Sequence, residues 1–250
     1  IEDMPKQGLK EGPFVFERNG IYYMTYPHVE NKIERLEYAI SDNPMGPFKF
    51  TGVIMDESPT GCWTNHHSLV EYDGQWYLFY HHNDYSPDFD KNRSTRIDSL
   101  FFNADGTIQK VIPTLRGVGV TSAVKNIEID RFSGKSSTGA DIAFIDTTSK
   151  FNGWKSVLSS KNAWMSYNTV DFGKKKLKNV QVKAASQAGA TVEIRLDKPD
   201  GILLAEVSIP KGNSLSITDA GVKKFQKGVH NLYVVLKDSN PVEIDWISFK

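Results

Sequence analysis

Glu11 is the residue of this chain whose neighbours best suit acid–base chemistry. It precedes Gly12 and Pro13, and an apolar segment follows at positions 14–16. The glycine permits unusual dihedral angles and the proline locks φ, so together they fix the backbone beside the carboxyl group. A carboxyl held at a strand end can be presented into a cleft at a fixed depth, which suits a general acid. The alternative is that Glu11 is simply a solvated residue before a hairpin, as most glutamates are.

Two histidine pairs, His66-His67 and His81-His82, are the next candidates for chemistry. Four imidazoles could hold zinc, but adjacent strand residues face opposite ways and no spacing such as His-Glu-x-x-His is present. We therefore expect one histidine of the first pair to face a cavity, where it is either a hydrogen-bonded structural residue or part of a site. Cys62 is the single cysteine, which excludes an intrachain disulfide and a cysteine-based zinc site.

Short strands with tight turns must position these residues. Alternating apolar and aromatic residues predict strands at 14–16, 21–26, 36–41 and 48–53, and a second set at 69–72, 76–81, 96–102 and 108–112. The sets form an internal repeat, because Asn19-Gly20 matches Asp73-Gly74 at a spacing of 54 residues, from position 19 to position 73. Four antiparallel strands per repeat are typical of a propeller blade. Two blades cannot close a ring, so we expect further blades from sequence outside this chain.

The second half of the chain predicts a β-sandwich. Strand signals recur there at 127–132, 141–146, 163–170, 179–185, 190–196, 203–209, 230–236 and 242–249. The segment 113–124 is short and contains two glycines, which is typical of a connection between domains. We place the boundary at Gly119, which gives domains 1–118 and 119–250. The predicted fold class is all-β throughout.

The composition limits the partners that we expect. Thirty Lys and Arg residues balance thirty Asp and Glu residues, so no net charge attracts nucleic acid or an anionic membrane. No apolar run approaches the length of a membrane span, which predicts no membrane insertion. A neutral partner such as an oligo- or polysaccharide is compatible with this composition.

A series of motifs runs through residues 9 to 113. They are Glu11-Gly12-Pro13, Asn19-Gly20 with Tyr22-Tyr23, Leu36-Glu37-Tyr38-Ala39-Ile40-Ser41, Asn65-His66-His67-Ser68, Trp76-Tyr77-Leu78-Phe79-Tyr80-His81 and the run 98–108. Together they closely resemble glycoside hydrolase family 43, the five-bladed β-propellers that cleave xylosides and arabinosides. The resemblance implies that the first half is the C-terminal part of such a propeller, with about two blades present.

The resemblance also implies a reaction, namely hydrolysis of β-xylosides or α-L-arabinofuranosides of plant polysaccharide with inversion. Glu11 is then the general acid, with a pKa raised by burial or by a neighbouring carboxylate. The base Asp and a pKa-modulating Asp would lie on N-terminal blades missing from this chain, and those blades are an expected partner. A signal peptide in that missing part would make the protein secreted, periplasmic or cell-surface. The rival hypothesis is a non-catalytic carbohydrate-binding or scaffolding protein.

Three further residues match positions at which the resembled family binds substrate. His66 matches a histidine at the propeller centre that either orients the carboxylates or lies close to a bound calcium. Arg93 matches an arginine placed against the sugar, where a guanidinium offers forked donors to hydroxyls, and Arg96 is its competitor. Trp63 lies on the preceding loop, where it could stack on a sugar ring or cap the core.

Motifs of the second half resemble the β-jelly-roll of family 6 carbohydrate-binding modules. They are Asn126-Ile127-Glu128-Ile129-Asp130, the runs 191–201 and 228–235, and Ile244-Asp245-Trp246-Ile247-Ser248-Phe249. The resemblance implies a structural calcium held by Glu128, Asp130 and Asp245 between the first and last strands, with oxygen ligands that suit this ion. The alternative is three strand-edge carboxylates without a metal. No organic cofactor is implied.

The sugar cleft of the module departs from the family pattern. The run 211–215 stands where the family has a Trp, and Glu243 stands where it has an Asn. Trp154 could still serve as a stacking platform, but one aromatic face without its opposing wall binds weakly. We therefore expect weak sugar binding by this domain.

Overall fold

A computed structural model describes residues 1–2 and 10–250. These residues form two compact units, Ile1–Val118 and Gly119–Lys250. Apart from one 3-10 turn at Lys150–Asn152, every regular element is a β-strand, which confirms the all-β class. Within the described residues, no helix has the length and apolarity that a membrane crossing requires.

The first unit consists of two antiparallel sheets in which neighbouring strands follow one another in sequence. One sheet contains β1 (Phe14–Arg18), β2 (Ile21–Val29), β3 (Glu34–Ser41) and β4 (Lys49–Met55), and the other contains β5 (Ser68–Tyr72), β6 (Gln75–His82) and β7 (Ser94–Leu100). Each sheet opens with the same turn, because Asn19 and Gly20 have φ of 53° and 79°, and Asp73 and Gly74 have φ of 50° and 75°. Two consecutive residues with positive φ are what a two-residue type I′ hairpin requires. The repeat read from these dipeptides is therefore present in the fold.

The predicted strand at 108–112 is wrong. Ile108 makes a single bridge to Phe102, and the backbone N–H of Val111 then donates to the carbonyl of Ile54 in β4 at 2.7 Å. The segment leaves the second sheet after one bridge because its next partner belongs to the first sheet. Both sheets contribute to one buried core that includes Tyr23, Leu36, Ile54, Leu69, Leu78 and Ile108.

The second unit is a sandwich of two sheets. One sheet has the order β10-β13-β18-β15-β16 with β8 beside β13, and the other has the order β11-β12-β19-β14-β17 with β9 beside β19. The strands are β8 (Thr121–Ser122), β9 (Ile127–Glu128), β10 (Gly134–Lys135), β11 (Ala140–Phe144), β12 (Trp154–Leu158), β13 (Trp164–Asp171), β14 (Asn179–Ser186), β15 (Ala190–Leu196), β16 (Ile202–Ile209), β17 (Gly212–Gly221), β18 (Val229–Leu236) and β19 (Val242–Phe249). Inward-facing aliphatic residues such as Val182, Val192, Val234 and Ile247 form the core.

Four strands of the sandwich were not predicted, namely the two-residue strands β8 and β10 and the longer strands β12 and β17, and one predicted strand is much shorter. β17 carries mostly polar, exposed residues at the edge of its sheet, so it lacks the apolar alternation that marks a half-buried strand. β12 follows Gly153 directly and was likewise missed. The strand predicted at 127–132 pairs only over Ile127–Glu128, because a turn closed by the Arg131 N–H and the Glu128 carbonyl follows it.

Candidate active site

One end of the first unit collects the charged residues that the sequence singles out. Glu11 precedes β1, His66 precedes β5, His81 lies near the end of β6 and Arg93 precedes β7. In antiparallel sheets of consecutive strands, the starts of odd strands and the ends of even strands lie at the same end. The same rule places Glu34, the first residue of β3, beside them.

The Glu11 carboxylate contacts the His66 ring directly. Glu11 Oε1 and His66 Nε2 are 3.1 Å apart, and the two side chains are 41% and 42% exposed. The ring also lies against Gly12, where φ is 51° and an added Cβ would meet His66 Cε1 at 3.2 Å, so a glycine fits this position. The hydrogen bond to His66 lowers the pKa of Glu11, and the Arg93 charge adds to this. The expectation of a raised pKa for Glu11 is therefore wrong for this chain, because Glu11 is half-exposed and its carboxylate is hydrogen-bonded to His66 and Glu34.

Glu34 is a buried acid that lies beside Glu11. It is only 1% exposed, and its Oε2 accepts a hydrogen bond from the Asn65 N–H at 2.5 Å. Burial raises the pKa of Glu34 to about 7, and the adjacent Glu11 carboxylate adds to the rise. Ligand atoms of Glu11, Glu34 and His66 all lie within 4.8 Å of one another. Below pH 7 this carboxyl pair therefore holds one proton, and the proton resides on Glu34.

Sequence reasoning missed Glu34. Its neighbours, Ile33 and Arg35, form no motif that marks an acid for chemistry. The available signal was topological, since an acid at the start of the third strand must lie at the same end as an acid before the first. The backbone secures it there, because the Glu34 N–H donates to the Trp63 carbonyl at 3.0 Å.

The other histidines hold the His66 segment in place. The Nε2 atom of His81 accepts a hydrogen bond from the backbone N–H of His66 at 3.1 Å, and His67 Nε2 lies 2.7 Å from Thr25 Oγ1. Burial lowers the pKa of both His67 and His81 to about 4, so both rings are neutral at physiological pH. In the described part of the chain, the four histidines form no zinc-ligand group, and the single cluster of three ligating residues is that of Glu11, Glu34 and His66.

The two arginines occupy different environments. Arg96 is buried, pairs with Asp84 and donates to the Thr114 carbonyl at 3.1 Å, so it holds the loop after β7 in place. Arg93 is exposed, and its charge reaches both Glu11 and His81. Trp63 is half-buried, with the Lys91 ammonium 5.3 Å from its ring centroid. Of these three candidates, Arg93 is the one whose charge acts on Glu11.

The acids proposed as calcium ligands lie together in the second unit. Glu128, Asp130 and Asp245 line one cavity of about 600 Å³. Burial and the neighbouring Asp245 and Asp130 carboxylates raise the pKa of Glu128 to about 7. Carboxylate oxygens are the ligands that calcium prefers, but the oxygens of these three acids do not all lie within 4.8 Å of one another, as the ligand atoms of the Glu11 cluster do. The ammonium of Lys183, 2.7 Å from Asp245 Oδ2, competes for the same carboxylate.

Trp154 lies in this acidic cavity rather than at the altered sugar cleft. Its ring packs against Phe144 with 4.0 Å between centroids. A separate cavity of about 350 Å³ surrounds Glu243, and its lining residues include no aromatic side chain. Glu243 itself pairs with Lys155 at 2.8 Å. The structure therefore does not bring Trp154 and Glu243 into one cleft.

Comparison with known families agrees with this division of the chain. The model of "Glycosyl hydrolases family 43" matches residues 3–108, and that of "Carbohydrate binding module (family 6)" matches residues 132–250. These matches support a family 43 glycosyl hydrolase segment followed by a family 6 carbohydrate-binding module. The chain therefore combines part of a propeller with a jelly-roll sandwich, as the sequence predicts.

Individual relatives cover the chain to different extents. A "Beta-xylosidase" of Xylanibacter ruminicola is 42% identical over 101 residues, 40% of this chain and 30% of that protein. An "Arabinoxylan arabinofuranohydrolase" of Paenibacillus polymyxa is 25% identical over 262 residues, 92% of this chain and 40% of that protein. The crystal structure of a family 43 arabinoxylan arabinofuranohydrolase from Bacillus subtilis, in complex with cellotetraose, superposes with a TM-score of 0.56 at 23% identity, over 96% of this chain and 54% of that one. The chain thus spans less than half the length of the Xylanibacter and Paenibacillus proteins.

Proposed function

We propose that this chain carries the proton-donating half of a glycoside hydrolase active site. The observation that supports this is the pair of Glu11 and Glu34, in which a half-exposed carboxyl faces solvent and a buried one, with a pKa of about 7, holds a proton below that pH. Glycoside hydrolysis needs a protonated carboxyl at the leaving oxygen and a carboxylate on the opposite face of the sugar. The base carboxylate would come from other blades of the same propeller.

In the proposed reaction, a sugar bound over Glu11 displaces water and makes the ionised form of Glu11 less favourable. The proton held by Glu34 passes to Glu11 and from there to the leaving oxygen as the glycosidic bond breaks. A water molecule attacks the anomeric carbon from the opposite face and gives its proton to the base. His66 orients Glu11, and Arg93 lies where its guanidinium can bind sugar hydroxyls.

The proposed substrates are β-xylosides or α-L-arabinofuranosides of arabinoxylan. The relatives that support this choice are named as a β-xylosidase and as arabinoxylan arabinofuranohydrolases. Because arabinoxylan is a polymer of the plant cell wall, we also propose that the protein acts outside the cytoplasm, in secreted, periplasmic or cell-surface form. Fractionation of the producing cells tests that placement, and confinement to the cytoplasm would contradict it.

The test of catalysis is Glu11→Gln in the complete protein. We expect turnover of arabinoxylan, a substrate with a poor leaving group, to fall by about 10²–10⁴, as for the loss of a general acid, whereas activated aryl glycosides are spared. Glu71→Gln, at an exposed glutamate of β5, is the matched control and should retain full activity. Equal losses on both kinds of substrate would argue against an acid role. A complete protein that hydrolyses neither would favour the non-catalytic binding protein instead.

A further inference from the structure

The neutral total charge of the chain hides an uneven division between its two units. Residues 1–118 carry 11 Lys and Arg residues against 17 Asp and Glu residues, a formal charge of −6. Residues 119–250 carry 19 Lys and Arg residues against 13 Asp and Glu residues, a formal charge of +6. The carbohydrate-binding module is therefore a basic domain, and the position of its excess charge can be traced.

The fold gathers lysines from four separate segments at one end of the sandwich. The loop between β13 and β14 meets the loop between β17 and β18, because the Gly228 N–H donates to the Gly173 carbonyl at 3.0 Å and the Val222 N–H donates to the Lys178 carbonyl at 2.7 Å. The C-terminal Lys250 joins them through its carbonyl, which accepts from the Lys178 N–H. The turn after β8 joins through the Phe249 N–H, which donates to the Ala123 carbonyl. Lys223, exposed in the loop between β17 and β18, pairs with Glu206 at 3.9 Å. We call the other exposed lysines at this end the lysine end: Lys125, Lys174, Lys175, Lys176, Lys178, Lys224, Lys227 and Lys250.

The charges of the lysine end are not neutralised by the protein. In the part of the chain that the structure describes, none of these eight ammonium groups forms an ion pair, whereas Lys155, Lys183 and Lys237 of the same unit each pair with a carboxylate at 2.7–2.8 Å. A shallow groove of about 310 Å³ runs along the lysine end, with Lys174, Lys175 and one carboxylate, that of Asp171, in its wall. So many like charges at one end repel one another, and a polyanion would relieve that repulsion.

We infer that the lysine end is a binding surface for an acidic polysaccharide, a polymer that presents uronate carboxylates at regular intervals. All eight cations are lysines, which bind anionic groups as point charges and not by the two parallel hydrogen bonds of arginine. The aromatic residues nearest in sequence, Phe172 and Phe225, belong to the core, so no aromatic platform for nucleobases is offered. Point charges on flexible stems suit carboxylates spread along a chain. The choice of a polysaccharide among polyanions rests on the proposed function, but the sign of the ligand's charge does not.

This surface lies at the opposite end of the sandwich from the cavity around Glu243, because β14, β17 and β19 each run between the two. β13 begins three residues after Lys161 and ends three residues before Lys174, and its eight residues span about 25 Å. Lys211 immediately precedes β17, whose far end leads to the lysine end, and Lys237 follows the far end of β18. Lys161, Lys211 and Lys237 therefore mark the opposite end of the sandwich and provide a control of equal formal charge, in which Lys237 differs by its ion pair with Glu206.

The experiment measures binding of the full 250-residue chain to polygalacturonate at low ionic strength, with fully methyl-esterified polygalacturonate as the uncharged ligand. We expect binding to polygalacturonate alone, and a loss of about tenfold in K174Q/K175Q/K176Q, since exposed charge pairs are individually weak and three are removed. The variant K161Q/K211Q/K237Q should bind as the unmodified chain does. The slope of log affinity against log salt should become shallower by about two in the first variant only, by the counterion-release relation.

Several outcomes would overturn the inference. They are no binding to polygalacturonate, equal binding to the esterified polymer, equal losses in the two triple variants, and binding to single-stranded DNA that is as tight as binding to polygalacturonate. The last result would assign the surface to nucleic acid. Because no turnover is measured, failure here leaves the proposed hydrolase activity untouched, and loss of activity in Glu11→Gln leaves this binding untouched.

Discussion

Replacement of Glu34 by Gln gives a direct test of the buried proton. Glutamine has nearly the shape of a protonated glutamate, and its side-chain oxygen can still accept the hydrogen bond from the Asn65 N–H. Its amide group can donate toward the neighbouring Glu11 carboxylate. The substitution therefore mimics the protonated form at every pH while removing the possibility of ionisation.

The magnitude follows from the pKa of Glu34, which is raised from the ordinary 4.5 to about 7. Between pH 4.5 and pH 7 the folded protein binds more protons at Glu34 than the unfolded chain does. The contribution of Glu34 to the free energy of unfolding is therefore greatest below pH 4.5 and falls as the pH rises toward 7. At about 1.4 kcal/mol for each pH unit, the loss is about 3 kcal/mol. Glu34→Gln should therefore match the unmodified protein at pH 4 and exceed its free energy of unfolding by about 3 kcal/mol at pH 8.

Amide hydrogen exchange of peptides from β3 measures this difference for the first unit separately from the sandwich, once intrinsic exchange rates are corrected for pH. Glu71→Gln serves as the control at an exposed glutamate and should follow the unmodified protein throughout. If Glu34→Gln and the unmodified protein keep the same stability from pH 4 to pH 8, the buried carboxyl does not hold its proton and the reasoning fails.

Three further predictions concern the sandwich and the core of the first unit. Calcium at a hundredfold excess over its Kd should stabilise the second unit by about 2.7 kcal/mol in thermal melts, and Asp245→Ala should abolish the effect. The stabilisation by calcium should weaken below pH 7, because Glu128 is then protonated and must lose its proton to bind the metal. A melting temperature that responds to neither calcium nor chelator would contradict the site. Calorimetric titration with xylo-oligosaccharides should show no binding tighter than about millimolar, because the cavity around Glu243 has no aromatic wall, and micromolar affinity would refute this. Tyr80→Phe should cost about 1–3 kcal/mol in urea unfolding because it removes the 2.6 Å bond from the Tyr80 hydroxyl to buried Asp98, and an unchanged transition midpoint would show that the bond contributes nothing.

Local sequence determined the elements whose signal is short-range. The Asn19-Gly20 and Asp73-Gly74 hairpins could be predicted because two consecutive positive φ angles require such residues. The strands that alternate apolar and polar residues, such as β15, were placed correctly because one face of each is buried. The position of Glu11 before β1 followed from the fixed backbone of Gly12 and Pro13.

Tertiary structure decided which charges meet, and this could not be read from local patterns. The pKa values of Glu11 and Glu34 moved in opposite directions because one carboxyl faces His66 while the other is buried, and burial depends on packing between two sheets. The segment 108–112 looked like a strand but crossed to Ile54, since its partner is chosen by the shared core. The lysine end is the clearest case, because its members come from positions 125 to 250 and become neighbours only when the sandwich closes. Composition counts charges over the whole chain, whereas electrostatic energy depends on the distances between them, and the fold sets those distances.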